Sequence, residues 1–200
     1  TGDLGGVEGA DENCNVLATD AGLQDAGDNN FMAWLSVGDD DSDTLAGQNT
    51  VLNDSPQSRF ANVGTSDSFV RTDGIRIADD WDELTSGTLR SALSLNENEQ
   101  PQPGKVWTGT RDDGSIAGPN KNTANCNNWT DERFVSGVTG GEGNTDQSWT
   151  FSGSGDSSLS NCDEEMHLFC FQTSKTSVQP EDGTEEDDSI DASEDDDSAN

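Results

Sequence analysis

The apolar residues near the start of the chain recur at helical spacing. They lie three or four positions apart, as one face of an α-helix requires. The positions are Val7, Ala10, Cys14, Leu17, Ala18 and Ala21. Gly22 follows, and glycine commonly ends helices. The pattern predicts one amphipathic helix over residues 7–24.

The next apolar segments are short and favour β-strands. Residues 31–36 are apolar on both faces and predict a buried strand. Residues 68–84 predict a hairpin, because Asp73-Gly74 stands between two apolar pairs and Asp-Gly suits a tight turn. The spacing of Trp81 and Leu84 then predicts a single helical turn.

The second half of the chain alternates strand-like and loop-like segments. We predict strands in residues 104–115, with a turn at Asp113-Gly114, and in residues 148–153 and 167–172. We predict loops for two stretches rich in polar residues or glycine, 116–128 and 134–144. These elements predict an α+β domain with long polar connections.

Acidic residues dominate the charge and divide the chain in two. The net charge is -32, and residues 173–200 alone hold 11 acids and one lysine. That segment is too poor in apolar residues to form a core, so we predict a disordered acidic tail or linker after a folded domain at residues 1–172. With only Lys105 and Lys121 as its lysines, the domain is an improbable partner for nucleic acid or an anionic membrane.

Two explanations fit the excess of acid. We favour solubility in a high-salt habitat, where counterions screen self-repulsion. The alternative is Ca²⁺ binding, for which Asp39, Asp41 and Asp43 are the candidate ligands. Their segment lacks the glycine and terminal glutamate of an EF-hand loop, so a solvated turn is the preferred interpretation and no cofactor is predicted.

The chain shows no apolar run long enough to span a membrane and no signal peptide. Because it begins at Thr1, we expect earlier residues of the gene product to be missing, so this absence does not argue against secretion.

Four cysteines without a Cys-x-x-Cys pair argue against structural zinc. They favour two disulfides and an oxidising compartment, with three pairings open.

Six segments of the chain follow one another in a recognisable order. The first carries Gly5-Gly6, Gly9-Ala10-Asp11 and Cys14 and continues to Leu35-Ser36. The others are Phe69-Val70-Arg71-Thr72-Asp73-Gly74 with Ile77-Ala78-Asp79, Trp81-Asp82-Glu83-Leu84 with Ser86-Gly87, Lys105-Val106-Trp107-Thr108-Gly109-Thr110 with Gly114, Cys126-Asn127-Asn128-Trp129, and Cys162 through Leu168-Phe169-Cys170-Phe171. In this order the segments resemble endostatin-like domains, and most closely those of microbial surface proteins.

The resemblance covers about residues 3–172 and implies a C-type-lectin-like fold. It also implies a nested pairing, Cys14 with Cys170 and Cys126 with Cys162. In the chain-entropy model each bridge closes a loop long enough to contribute about 3–5 kcal/mol. The histidines that bind zinc in endostatin have no counterpart here. The motifs of calcium-dependent sugar-binding lectins are matched only by Gln100-Pro101-Gln102 and Asn128-Trp129-Thr130, which lack the carboxylate.

Candidate chemistry is sparse. No Ser/His/Asp set or phosphate loop is recognisable, and His167 has no evident partner, so we predict a structural histidine and no enzymatic activity. Trp107, Trp129 and Trp149 are candidate ligand contacts, with core anchoring as the preferred alternative. Asn53 and Asn128 begin glycosylation sequons.

We therefore predict a secreted or cell-surface, non-catalytic module that binds a protein or glycan through a long-loop face at residues 98–160. An alternative is a structural module that assembles into surface filaments. A weaker alternative is an enzyme that acts on glycans.

Overall fold

A computed structural model describes residues 1–23, 30–38, 54–60, 68–117, 124–133, 136–153 and 159–173. They form a mixed α+β domain, as predicted. The helices are α1 (Gly6–Asp20), α2 (Pro56–Arg59) and α3 (Trp81–Leu84). The strands are β1 (Phe31–Ala33), β2 (Phe69–Val70), β3 (Arg76–Ala78), β4 (Lys105–Trp107), β5 (Ser136–Gly141), β6 (Leu159–Asn161), β7 (His167–Leu168) and β8 (Cys170–Gln172).

Three small sheets contain these strands. β1 pairs antiparallel with β8, and β2 pairs antiparallel with β3. The third sheet has the order β6-β5-β4-β7, in which only the pairing of β4 with β7 is parallel. Strands distant in sequence are therefore neighbours: β8 lies beside β1 near the start of the chain, and β7 lies beside β4 in its middle.

Helix α1 packs against β1 through small side chains. Ala10, Cys14 and Ala18 are all at most 2% exposed, which lets the helix approach the strand closely. Asn15, one of the buried residues of the helix, completes the hydrogen bonding of Phe31: its side chain donates to the Phe31 carbonyl at 2.8 Å and accepts from the Phe31 amide at 3.1 Å. The helix thus satisfies backbone groups at the edge of β1 that β8 does not reach.

An ion pair joins α1, β1 and α2. The Arg59 guanidinium, 6% exposed, donates to both carboxylate oxygens of Asp11 at 2.6 Å. It also donates to the carbonyls of Ala33 and Leu35, and Asp11 accepts from the Ala33 amide at 2.8 Å. Because the charges are paired and hydrogen-bonded, both can be withdrawn from water without leaving an unmatched charge.

Two disulfides close the domain. Cys14 of α1 is bonded to Cys170 of β8, and Cys126 is bonded to Cys162. The first spans 156 residues of sequence and the second 36. This is the pairing that the resemblance implied. Beyond β8, Thr173 still donates to the Asn30 carbonyl, and the rest of the predicted tail lies outside the described residues.

The hairpin prediction is confirmed. β2 and β3 pair, and the turn between them contains Gly74 at φ +81°, a conformation that glycine adopts without strain. The predicted turn at residues 81–84 is α3, with Asp80 accepting from the Glu83 amide at its start. Helix α1 ends at Asp20, four residues before the predicted end.

The loop prediction for residues 134–144 is wrong, because they contain β5, the longest strand in the described part of the chain. Its glycines provide room for close neighbours rather than flexibility. A Cβ at Gly140 would lie 2.0 Å from the Trp149 carbonyl oxygen, and one at Gly137 would lie 2.8 Å from Cys126 Sγ. Glycine inside a strand often marks such a close approach.

Two further segments differ from the prediction. Residues 148–153 form no strand; they begin inside a 3₁₀ turn, Gln147–Trp149, in which the Ser148 amide donates to the Asp146 side chain at 3.0 Å. Residues 126–129, expected as loop, form one left-handed helical turn with φ between 51° and 63°. Asparagine tolerates this region better than most residues, and two of the four positions are Asn127 and Asn128.

The described side chains bury two apolar clusters. One lies under α1 and includes Ala10, Leu35, Trp107, Trp129 and both Cys126 and Cys162. The other packs Trp34 against Phe60, Trp149 and Phe171, with ring centroids 5.0–5.7 Å apart. No described helix is both long and apolar enough to cross a membrane.

Gly140→Ala should destabilise the domain by about 3 kcal/mol, because backbone rather than a flexible side chain occupies the space of the new methyl group. The matched control is Gly143→Ala three residues later, where a Cβ meets nothing within 4 Å and the change should stay within about 0.5 kcal/mol. Urea unfolding measures both. Equal stabilities of the two variants would contradict the close approach of β5 to Trp149.

Candidate functional site: an apolar groove with a buried carboxyl

A groove runs between α1 and the β2–β3 hairpin. Its cavity volume is about 680 Å³, within the range of roughly 300–1,000 Å³ typical of ligand sites. Residues 166–172, which include β7 and β8, lie between these two walls, and residues 93–97 extend the hairpin side. The hydrogen-bonded pairing of β8 with β1 and the Cys14–Cys170 bridge fix the position of α1 relative to the strands.

The rim of the groove is apolar and exposed. Among the described residues, four large apolar side chains are exposed, and three of them line this groove: Val16 at 51%, Leu17 at 44% and Val70 at 53%. The fourth, Ile75, belongs to the same hairpin but lies outside the groove. Clustered exposed apolar residues mark binding surfaces more often than scattered ones do.

Glu142 and His167 supply a polar group to this groove. Glu142 directly follows β5 and His167 begins β7, and β4 separates these strands in the sheet. The two side chains meet beside the start of β4, where His167 Nδ1 lies 2.7 Å from Glu142 Oε1. Gly104 makes room for them, since a Cβ there would be 3.0 Å from the imidazole ring.

The second oxygen of Glu142 is unused. The residue is only 6% exposed, and its Oε2 is buried without a hydrogen-bond partner among the described residues. Burial raises the pKa of the Glu142 carboxyl, and the hydrogen bond from His167 only partly offsets this. A buried acceptor without a donor costs free energy, so this carboxyl can gain from a donor that a ligand brings.

The charges elsewhere in the groove are already matched or exposed. The Arg71 guanidinium donates to both oxygens of Asp73, at 2.6 and 3.1 Å, and to the Ala92 carbonyl. This contact with Arg71 holds the pKa of Asp73 below its usual value. Glu97 accepts from the neighbouring Asn98 side chain. The groove therefore offers a ligand an apolar surface and one unsatisfied carboxyl.

The three tryptophans suggested as ligand contacts lie elsewhere. Trp107, Trp129 and Trp149 are each 0% exposed, so their suggested role as a ligand surface is wrong. They serve as the core anchors of the alternative prediction. Trp129, for example, donates through Nε1 to the Ser36 carbonyl at 2.9 Å and fixes the left-handed turn against the chain after β1.

The other predicted site residues fall partly outside the described structure. Asp39, Asp41, Asp43 and Asn53 lie outside it. Asn128 is half-buried, and its side-chain oxygen accepts from the Gly38 amide at 3.1 Å and from Asn125 at 2.9 Å. In the described ranges no group of three or more metal-ligating side chains comes together. Calcium binding and glycosylation stay predictions.

The sequence did not predict the pair of Glu142 and His167. A partner for His167 was not evident because the two residues are 25 positions apart and the strand that brings Glu142 to it was expected to be a loop. A carboxyl–histidine pair can activate a nucleophile. All four cysteines are bonded in disulfides, and the hydrogen bond that the structure shows for His167 is the one with Glu142.

Glu142→Gln should change the pH dependence of stability in a defined direction. Because the pKa of Glu142 is raised on folding, the folded chain keeps this proton to higher pH than the unfolded chain. The wild type should therefore lose stability relative to Glu142→Gln as pH rises from the ordinary value of about 4.5 through the raised one. Urea unfolding at a series of pH values measures this. If the free energies of unfolding of the wild type and Glu142→Gln changed in parallel with pH, or if the wild type gained stability relative to the variant, the burial of the Glu142 carboxyl would be contradicted.

Comparison with known proteins assigns no family to the chain. No protein-family model matches it, and no curated protein matches it either. The resemblance to endostatin-like domains stays a prediction, so the assignment of function depends on the geometry of the groove.

Proposed function

We propose that the domain is a non-catalytic recognition module, displayed outside the cell, that binds an apolar segment of a protein in the groove between α1 and the β2–β3 hairpin. One observation carries this proposal: Val16, Leu17 and Val70 are exposed together along one groove of a chain with net charge -32. A chain so rich in acid has ample polar residues to cover that surface. Leaving it apolar is understandable if a partner covers it.

The composition of the groove favours a protein over a glycan as the ligand. Sugar sites commonly present aromatic rings or a metal to the ligand, whereas the candidate tryptophans are buried and the described residues gather no metal-ligating group. Peptide-binding grooves instead accept apolar side chains at successive positions. The proposal therefore moves the ligand site from the long-loop face at residues 98–160 to the groove.

We also propose that the domain is endostatin-like with a C-type-lectin-like fold. The six ordered sequence segments support this, together with an opening helix bridged to the last strand and a second disulfide nested inside the first. Two disulfides are compatible with an oxidising environment such as the cell surface. Life in high salt remains a proposal from the acidic composition alone.

A matched pair of variants on one hairpin tests the groove. Val70→Glu places a charge on the groove rim, and Ile75→Glu places the same charge on an equally exposed apolar position outside it. On an array of short random peptides, labelled wild type should give saturable binding to apolar sequences. Val70→Glu should weaken that binding at least about tenfold, since burying a valine side chain contributes about 1.5–3 kcal/mol.

Ile75→Glu should bind like the wild type, and circular dichroism of all three proteins checks that they fold. Equal binding by the wild type and Val70→Glu, or no saturable binding at all, would overturn the proposed site. Concentration-dependent polymers lost in Val70→Glu would instead support the alternative of a filament-forming module.

A further inference from the structure

We propose that Glu142 is the specificity group of the groove and that it pairs with a lysine or arginine side chain carried by the apolar segment of the partner. This inference rests on the proposed function of the groove. It adds the charge and chemical type of the residue that the partner must present.

The first step is the unused acceptor. Glu142 lies in the wall of the groove, is 6% exposed, and shares only Oε1 with His167. Its Oε2 has no donor among the described residues. Two other buried side-chain atoms in the described part of the chain lack partners, the indole nitrogens of Trp107 and Trp149, but neither residue lines the groove. The missing partner at a ligand site is therefore a hydrogen-bond donor.

The second step is the charge of that donor. A buried carboxyl gains most from a cationic donor, because charge-assisted hydrogen bonds are the stronger ones. Of the described residues that line the groove, Arg71 is the one arginine and none is a lysine. Its guanidinium is engaged by Asp73 and the Ala92 carbonyl, so it does not supply the missing charge. A lysine or arginine of the ligand can bring it.

The third step is the shape of the donor. Met166 and Leu168 flank His167 in sequence, and both line the groove and pack against the core cluster under α1. The groove thus presents apolar side chains as well as the Glu142 carboxyl. Lysine and arginine suit both, because each carries its charge at the end of an apolar stem.

Charge also excludes two occupants that are close at hand. The tail begins beside the groove, just after Gln172, but holds 11 acids and one lysine. A second copy of the chain would bring another net charge of -32. Both would place like charges against the groove, so a separate partner with a basic residue among apolar ones is the occupant that complements it.

The test uses two peptides. The first is the lysine-containing peptide of the array that binds the wild type most tightly. The second is the same peptide with lysine replaced by norleucine, which keeps the apolar stem and removes the charge. Affinities are measured at an ionic strength on the order of 1 M, where the Debye length is about 3 Å and non-specific attraction to the acidic surface is screened. The wild type should bind the lysine peptide at least about tenfold more tightly than the norleucine peptide.

Glu142→Gln should abolish this preference, so that it binds the lysine and the norleucine peptides with equal affinity. The matched control is Glu97→Gln, which removes a carboxylate from the same groove at a position where it already accepts a hydrogen bond from Asn98. It should keep the preference for lysine.

The results separate this inference from the function on which it depends. If wild type binds both peptides equally, or if Glu142→Gln keeps the preference, the role of Glu142 is wrong while the groove remains a peptide site. Hexylammonium binding as tightly as the peptide would overturn the assignment of a protein ligand in favour of a small amine. If no peptide binds, the inference and the proposed function fail together.

Discussion

The joining of the first helix to the last strand is the constraint on which the rest of this domain depends. Cys14 and Cys170 are 156 residues apart in sequence, and their bridge holds α1 against the β1–β8 pair. The paired charges of Arg59 and Asp11 add a second link at the same place. Without these links, α1 would lose its position opposite the β2–β3 hairpin, and the groove would lose one wall.

This constraint explains how a chain with 28% hydrophobic residues keeps a defined surface. The described sheets are small, and buried polar groups from distant parts of the sequence are hydrogen-bonded to one another. Trp34 donates to the Thr150 hydroxyl at 2.8 Å, and the Ser36 and Thr110 hydroxyls are hydrogen-bonded to each other at 2.8 Å. Against this background Glu142 Oε2 is one of three buried side-chain atoms without a partner among the described residues, and the one of them that lines the groove.

Local pattern predicted the elements whose signals are local. The helical spacing from Val7 to Ala18 identified α1, and Asp73-Gly74 identified the hairpin, because in both cases neighbouring residues decide the conformation. Glycine in β5 misled the prediction, since its role is the close approach of Trp149, a residue outside the strand.

The candidate site was hidden for the same reason. Glu142 and His167 meet only through the order of strands β5, β4 and β7, which no local pattern encodes. The exposure of Leu17 was not predicted either, because this residue belongs to the apolar stripe that indicated one buried face, whereas Val16 lies outside that stripe. A sequence shows which helix face is apolar, but only the packed structure shows which apolar residues stay uncovered.

The central claim is that the groove holds an apolar segment whose cationic residue meets Glu142. A crystal structure of the domain with a bound lysine-containing peptide tests it most directly. The account predicts the peptide between α1 and the β2–β3 hairpin, with the lysine Nζ within about 3 Å of Glu142 Oε2, the length of a charge-assisted hydrogen bond. A peptide seated on the loops around the left-handed turn at residues 126–129, with Oε2 still unpaired, would contradict it.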